Sequence, residues 1–351
     1  MIVEENKTLA PFTTFKIGGP ARWFAKTATE DDVAAAVVWA QERNVALFVL
    51  GGGSNLLVAD SGFNGLVLHI GLRGIHVARN SDYAIYQVAA GENWDTLVEQ
   101  TVRDNCAGVE CLAGIPGTVG GTPVQNVGAY GQEVASSIER VRAFDITNRA
   151  FVEIDAAQCG FAYRRSRFNT SDRSRFIVTR VDYRLGVEGA PTLRYVDLQK
   201  TFPAGSNPRL TEVAAAVRRI RESKGMLLIE GDADCRSAGS FFKNPVATVE
   251  QLQHVANVSG EEPPRFPAGM DPESARLVKL PAAWLIEHAG FAKGFVRGPV
   301  GLSSRHTLAL INRGGATAAE VLSLADLIKD AVESRFGIRL EMEPVLLGFE
   351  R

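Results

Sequence analysis

The sequence predicts an α+β fold: two α/β segments followed by a smaller α+β segment. Three observations carry this prediction. Capped helical patterns and short apolar runs share the first seventy residues. Strand-like segments, two helical patterns and a long glycine-dense loop fill residues 71–224. A polar, proline-rich connection then separates the opening of the third segment, 225–337, from its helices. With 351 residues the chain exceeds one ordinary core, so two or three domains are expected.

Thr29-Glu30-Asp31-Asp32 has the form of a capping box opening the helix VAAAVVWAQERN. The run Val45 to Leu50 suits a short buried strand, and Leu66 to Ile70 another. Tyr83 to Ala90 alternates as a strand does. Asn93 to Asn105 has helical spacing at Leu97, Val98 and Val102. VRAFDI, FVEI and FIVTRVDYRL are expected to be sheet strands, and TEVAAAVRRIRESK a helix from Thr211. In the third segment GEEPPRFPAGMDPES is a connection, and PAAWLIEHAG a helix with Pro281 in its first turn. Thr317-Ala318-Ala319-Glu320 is a second capping box, for a helix reaching about Phe336 and stopping at Gly337. IRLEMEPVLLG is the last expected strand. The stretch from about 338 to 351 is expected to fold back toward the start of the chain.

Apolar residues make up 46% and charged residues 22%, as in globular proteins, and the net charge is −2. That balance argues against a nucleic-acid or anionic-membrane surface. MIVEENKTLAPF lacks a basic region followed by an apolar one, so no secretory signal is read, and no apolar run spans a bilayer. Cys106, Cys111, Cys159 and Cys235 lack CxxC spacing and read as reduced cytosolic thiols. The five histidines lack metal-ligand spacing, so no metal is expected.

Two glycine-rich loops point to a nucleotide. Gly51-Gly52-Gly53-Ser54-Asn55 follows an apolar strand, where glycines let backbone amides approach a diphosphate. It is neither GxGxxG nor a Walker loop, and a plain strand-to-turn reading stays open for it alone. AGIPGTVGGTPVQNVGAYGQE is more specific. Its apolar members Ile115, Val119, Val124 and Val127 indicate a packed loop. Such a backbone suits a flat cofactor with a diphosphate tail, and Gln125 and Asn126 could read polar edges of a heterocycle.

These stretches, with LGGGSN upstream and SAGSFFKNP downstream, resemble the UDP-N-acetylenolpyruvoylglucosamine reductase (UDP-N-acetylmuramate dehydrogenase) family. The resemblance runs from Leu9-Ala10-Pro11-Phe12-Thr13-Thr14-Phe15 to Glu343-Pro344-Val345-Leu346-Leu347-Gly348, almost the whole chain. It implies two α/β FAD-binding subdomains of the vanillyl-alcohol-oxidase-like, PCMH type and a C-terminal α+β substrate-binding domain. It implies that NADPH reduces FAD, which then passes hydride to UDP-N-acetylglucosamine enolpyruvate in peptidoglycan precursor synthesis. A cytoplasmic monomer is expected.

The resemblance assigns proton donation to Ser240 and stabilisation of the enolate to Arg164 and Glu343, with Tyr163 as the accompanying tyrosine. Glu343, rather than Glu341, keeps the family spacing to Gly348. Cofactor contacts are assigned to Gly51, Gly52, Gly53, Ser54 and Asn55, then to Ile115, Pro116, Gly117, Val119, Gly120 and Gly121. Gln125, Asn126, Gly128, Ala129, Tyr130 and Arg221 complete them. Tyr195 matches a tyrosine on an inserted loop that closes over UDP. Lys224, Asn244 and His306 match further nucleotide-side positions. The chain departs from the pattern at Thr13, where the family often has Asn, at Val345 or Leu346, where an arginine can stand, and at His306, where an amide is expected.

From the residues alone other readings remain. Ser240 in SAGSF could be a turn residue or a hydrolase nucleophile, though SAGSF is not the GxSxG elbow and no histidine motif accompanies it. YRRSRF reads as a basic turn and Glu343 as a surface carboxylate. Another flavin oxidoreductase of the superfamily, or a non-catalytic nucleotide-binding module, would share the glycine loops.

Overall fold

The computed structural model describes residues 1–267 and 277–349. The end of the proline-rich connection and the last two residues of the expected C-terminal return lie outside them. The chain divides into two compact units. The first comprises Met1–Lys7, Pro20–Gly53 and Phe63–Glu222. The second comprises Thr8–Gly19, Ser54–Gly62 and the chain from Ser223. Two pieces of the first seventy residues thus belong with the C-terminal part, an arrangement that no linear division expresses.

The first unit contains two larger sheets and a two-stranded one, Gly128–Ala129 with Gln132–Glu133. One larger sheet has the strand order Val3–Thr8, Pro20–Thr27, Phe63–Ile70, Leu47–Leu50, and Phe63–Ile70 runs parallel to both of its neighbours, Pro20–Thr27 and Leu47–Leu50. Parallel strands need a crossover, and the helix Glu30–Glu42 supplies it. Thr29 and Asp32 close the expected capping box, and Val33, Ala36, Val37 and Ala40 form the buried stripe. The second sheet is antiparallel, in the order Ala150–Asp155, Ile138–Asp145, Phe176–Val187, Tyr83–Ala89, Ile75–Arg79. Ala84, Tyr86 and Val88 point to the core, as the alternation requires. The helices Trp94–Arg103, capped by Asn93, and Leu210–Ser223 complete this unit.

The second unit is built around the helix Ala318–Phe336. Thr317 caps its start, and Gly337 at φ 65° ends it. Its buried face, Leu324, Ala325, Ile328, Val332 and Phe336, shares a core with Phe241, Phe242 and Leu285. Two three-stranded sheets flank it, Val246–Thr248 with Leu277–Lys279 and Phe266–Pro267, and Val296–Arg297 with Val300–Leu302 and Leu310–Asn312.

Some expectations change. Only Val345–Leu347 of the stretch 338–348 is a strand, running parallel to Leu56–Val58. Pro344 lacks the N–H a longer ladder would need. Pro281 stands at the N-cap of Ala282–His288, one position earlier than expected. The strands Val3–Thr8 and Pro20–Thr27 and the helices Val196–Thr201 and Val249–Ser259 were not anticipated. The last had a readable signal, since Thr248 and Gln251 form a capping box and Gly260 ends it.

Gly348 closes the C-terminal return. Its φ is +83°, and a Cβ there would lie 1.9 Å from the Gly62 carbonyl oxygen. Gly348→Ala is expected to destabilise the second unit by about 2 kcal/mol or more. Chemical denaturation followed by tryptophan fluorescence checks this, because Trp284 reports on that unit.

Candidate functional site

In the first unit the two glycine loops touch. A Cβ on Gly52 would lie 2.6 Å from Gly117 Cα, and one on Gly51 2.7 Å from Thr118 Oγ1. Side chains at either position would push the loops apart, so both faces must stay bare. The long loop is held from below: Trp94 N–H donates to Gly117 O (3.1 Å), Val119 N–H to Glu92 O (2.9 Å) and Gly120 N–H to Ala90 O (2.8 Å). These bonds leave Val119 buried and Gly121 exposed, with no atom within 4 Å of a Cβ built there. Ile115, Pro116, Gly117, Gln125, Gly128 and Ala129 are half-buried along the same loop.

Arg221, on the helix Leu210–Ser223, is almost fully buried under this loop and donates from Nε to Gly114 O at 3.0 Å. Burial pulls its pKa down from the ordinary value, and Tyr130 beside it works in the opposite direction. Tyr130 is itself buried, with φ 51°, and its ring meets the ring of Tyr195 edge-on at 5.2 Å. Tyr195 stands at the N-cap of Val196–Thr201, whose Leu198 is fully buried in the same core.

Asn126 is bonded within its own unit. Its side chain is buried, and Nδ2 donates to Glu133 Oε2 (2.8 Å) and Ala162 O (3.1 Å), while Oδ1 accepts from Ala135 N (3.1 Å). A carboxamide engaged on both ends braces the loop. What it braces matters. Ala162 and Arg165 exchange backbone hydrogen bonds across a tight turn whose tip is Tyr163 and Arg164. Ser166 Oγ donates to Val124 O at 2.6 Å and fixes the other side. Arg164 has φ 54°, an uncommon conformation for a side chain of its size, and its guanidinium lies 5.4 Å from the Tyr163 ring centre.

In the second unit, Ser237-Ala238-Gly239-Ser240-Phe241-Phe242-Lys243 runs between two neighbours. Phe241 N–H donates to Leu308 O at 2.8 Å on one side. On the other, Phe242 bridges Met342: Lys243 N–H donates to Glu341 O and Glu343 N–H to Phe241 O, both at 2.9 Å. Thr14 Oγ1 donates to Ser237 O at 2.5 Å, and Gly239 turns with φ 71°. Ser240 is half-buried at the head of this pairing. Lys243 forms an ion pair with Glu341 at 3.3 Å, so the two neighbouring glutamates separate in role, Glu341 outward and paired, Glu343 half-buried.

Asn55 belongs to this second unit, together with Ser54, rather than with Gly51–Gly53. Its Nδ2 donates to Glu343 O (3.3 Å) and its carbonyl accepts from Val345 N (3.0 Å), which makes it the clamp on the Glu343 segment. Asn244 Oδ1 accepts from Ala282 N at 2.9 Å and so caps the helix Ala282–His288. His306 is neutral near pH 7: burial, with Lys224 and Lys293 close by, pushes its pKa down to about 4. Its loop is held by Asp234, which accepts from Ser304 Oγ and Arg305 Nε. Sequence reasoning passed over Asp234 and also Glu110, a fully buried carboxylate in the first unit. A charged residue inside an otherwise apolar run, VECLAG, was the available sign.

Among the described residues no group of three or more His, Cys, Asp or Glu is placed to hold a metal ion. None of their helices is long and apolar enough to cross a membrane.

Family models match in two places, a FAD binding domain over residues 21–149 and the UDP-N-acetylenolpyruvoylglucosamine reductase C-terminal domain over 231–347. A UDP-N-acetylenolpyruvoylglucosamine reductase of Streptomyces coelicolor is 45% identical over 97% of this chain and 89% of its own. One of Thermobifida fusca is 43% identical over 98% and 97%. The crystal structure of the Thermus caldophilus enzyme of that name aligns over 99% of both chains, with TM-score 0.67 and 26% identity.

The depressed His306 pKa has a consequence for stability. The unfolded chain, near pKa 6.5, binds this proton before the folded chain does, so stability falls as pH drops from about 6.5 to 4. The loss due to this group is about 3 kcal/mol. His306→Gln is expected to lose less stability over that window than the parent, as urea titrations at several pH values would show.

Proposed function

The chain belongs to the UDP-N-acetylenolpyruvoylglucosamine reductase family, and from that premise we propose how its residues carry out FAD-dependent reduction of UDP-N-acetylglucosamine enolpyruvate to UDP-N-acetylmuramate, with NADPH as reductant, in cytoplasmic peptidoglycan precursor synthesis. The observation that carries the reading is the register of Phe241–Lys243 against Glu341–Glu343, which sets the Ser240 and Glu343 stretches side by side.

The two closely packed glycine loops, with Gly121 open beside them, fit FAD. Where Gly51 and Gly52 would carry side chains, Gly117 and Thr118 already stand, so a diphosphate meets backbone on both loops. Gly51–Gly53, Ile115–Gly117, Val119–Gly121, Gln125, Gly128–Tyr130 and Arg221, all residues of the first unit, would hold it. When bound, FAD supplies the hydride. Asn126 and Asn55 serve it indirectly, by shaping the two loops.

The residues of this chain manage the other half of the chemistry. An enol ether that gains hydride at one carbon carries carbanion character at its neighbour, stabilised through the substrate carboxylate. Arg164, held at the tip of its tight turn, supplies positive charge there, and Tyr163 backs the guanidinium. Glu343 acts on the same enolate from the segment clamped by Asn55. Ser240 delivers the proton to the carbanionic carbon. Lys243 is engaged by Glu341, so polarising the serine falls to other groups or water. Residues 225–337 form the substrate part, with Lys224 toward the diphosphate. His306 offers a neutral ring where an amide is usual; Asn244 shapes the helix Ala282–His288 behind it. Tyr195 covers the nucleotide. The protein acts as a monomer.

Two measurements test this. The purified protein should be yellow, bleach anaerobically with NADPH, and recover its absorbance when UDP-N-acetylglucosamine enolpyruvate is added. A colourless protein that binds no FAD on reconstitution would refute the proposal. Arg164→Ala and Glu343→Gln should each slow recovery by about 10²–10³-fold while leaving bleaching by NADPH within a few-fold of the parent.

A further inference from the structure

We propose that Glu110 is a positioning residue that fastens the start of the Tyr195 loop to the segment next to the glycine-rich loop, and so fixes where the tyrosine is presented. Glu110 is fully buried. Its Oε2 accepts from Gly108 N (2.8 Å), and its Oε1 accepts from Thr192 N (2.8 Å) and from Gln132 Nε2 (3.1 Å). The Thr192 bond joins segments 82 residues apart and ends three positions before Tyr195. Gln132, two positions after Tyr130, closes the cluster: its Oε1 accepts from Cys111 N (2.9 Å), and its Nε2 also reaches Thr192 Oγ1 (3.4 Å). The Cys111 thiol donates to Thr192 O at 3.1 Å. Burial pushes that thiol's pKa up, so it stays protonated and remains a donor.

The same two segments touch again next to the tyrosine. Gly131, at φ +81°, leaves 3.0 Å between a built Cβ and Arg194 Cβ, and Tyr130 meets the Tyr195 ring. Residues 130–132 and Glu110 therefore hold residues 192–195 by a ring contact, a close approach at Gly131, the Gln132 amide and the Glu110 carboxylate. The carboxylate is the element a neutral substitute cannot reproduce. All three groups facing it are N–H donors, and an ionised carboxylate offers acceptors only. An amide in its place must turn an N–H toward another N–H and leave it buried without a partner. The apolar surroundings make that costly. The anchor thus lies between the loop assigned to FAD and the residue assigned to UDP. Its functional meaning rests on the Tyr195 reading above.

The test uses the FAD-bound, full-length enzyme. Glu110→Gln is expected to raise KM for UDP-N-acetylglucosamine enolpyruvate about tenfold and to leave the rate of flavin reduction by NADPH within twofold. Trypsin cleavage after the exposed Arg194, without substrate, should accelerate by a similar factor. Gln132→Met, which keeps the side-chain length but removes both amide contacts, should give the same pattern and stands in if Glu110→Gln does not fold. Tyr195→Ala is the reference. If it raises KM and the anchor variants change neither KM nor cleavage, the inference is overturned. It is equally overturned if the anchor variants slow both half-reactions alike, since that is general destabilisation. If Tyr195→Ala leaves KM unchanged, the Tyr195 reading falls, and cleavage alone decides the anchor: faster cleavage supports it and unchanged cleavage refutes it.

Discussion

One short backbone pairing sets the chemistry of the second unit. Phe242 and Met342 bridge across about a hundred residues, and the flanking bonds from Lys243 and Glu343 fix the register to a single residue. A slip by one position would reverse which side chains face the core. Phe241 and Phe242 are fully buried beside Phe15 and the long helix, and that burial holds the register. Ser240 and Glu343 are thereby ordered by apolar packing that neither contributes to. The parallel strand Val345–Leu347 against Leu56–Val58 and the Asn55 clamp continue the same strip.

The first unit solves a related problem with polar groups. Its glycine loop has too few side chains to form a core of its own, and a buried loop must satisfy its backbone. Arg221, Asn126 and Glu110 do this from below, each buried and each bonded to the loop or to the segment next to it. Such groups are costly to bury unless fully satisfied, and satisfied they allow one arrangement only. The close packing of Gly51 and Gly52 on the second loop, and the open face of Gly121, are the complement of that lower bracing.

Much of this was legible in the sequence, for identifiable reasons. The helices at Thr29 and Thr317 announced themselves because both capping-box partners are local. Tyr83–Ala89 did so because its buried face alternates, and Phe176–Val187 because it is buried along most of its length. The edge strand Val3–Thr8 carries five polar residues in VEENKT and gives no such pattern. The helix Val249–Ser259 buries only Leu252 and Val255, so its apolar period is weak despite a clear cap. Ser240, Arg164 and Glu343 could be named from motif order. The braces could not: Asn126 and Asn55 resemble ligand-reading amides in sequence, and only their partners reveal a structural role. Glu110 shows the same limit from the other side, since its partner at Thr192 is 82 residues away.

The central claim is that the hydroxyl of Ser240 delivers the proton and does nothing for flavin reduction. Stopped-flow absorbance on Ser240→Ala separates the two halves of the cycle. Bleaching by NADPH is expected at a rate close to the parent's, and reoxidation by UDP-N-acetylglucosamine enolpyruvate slowed by about 10²-fold or more. Equal slowing of both phases, or reoxidation at the parent rate, would contradict it.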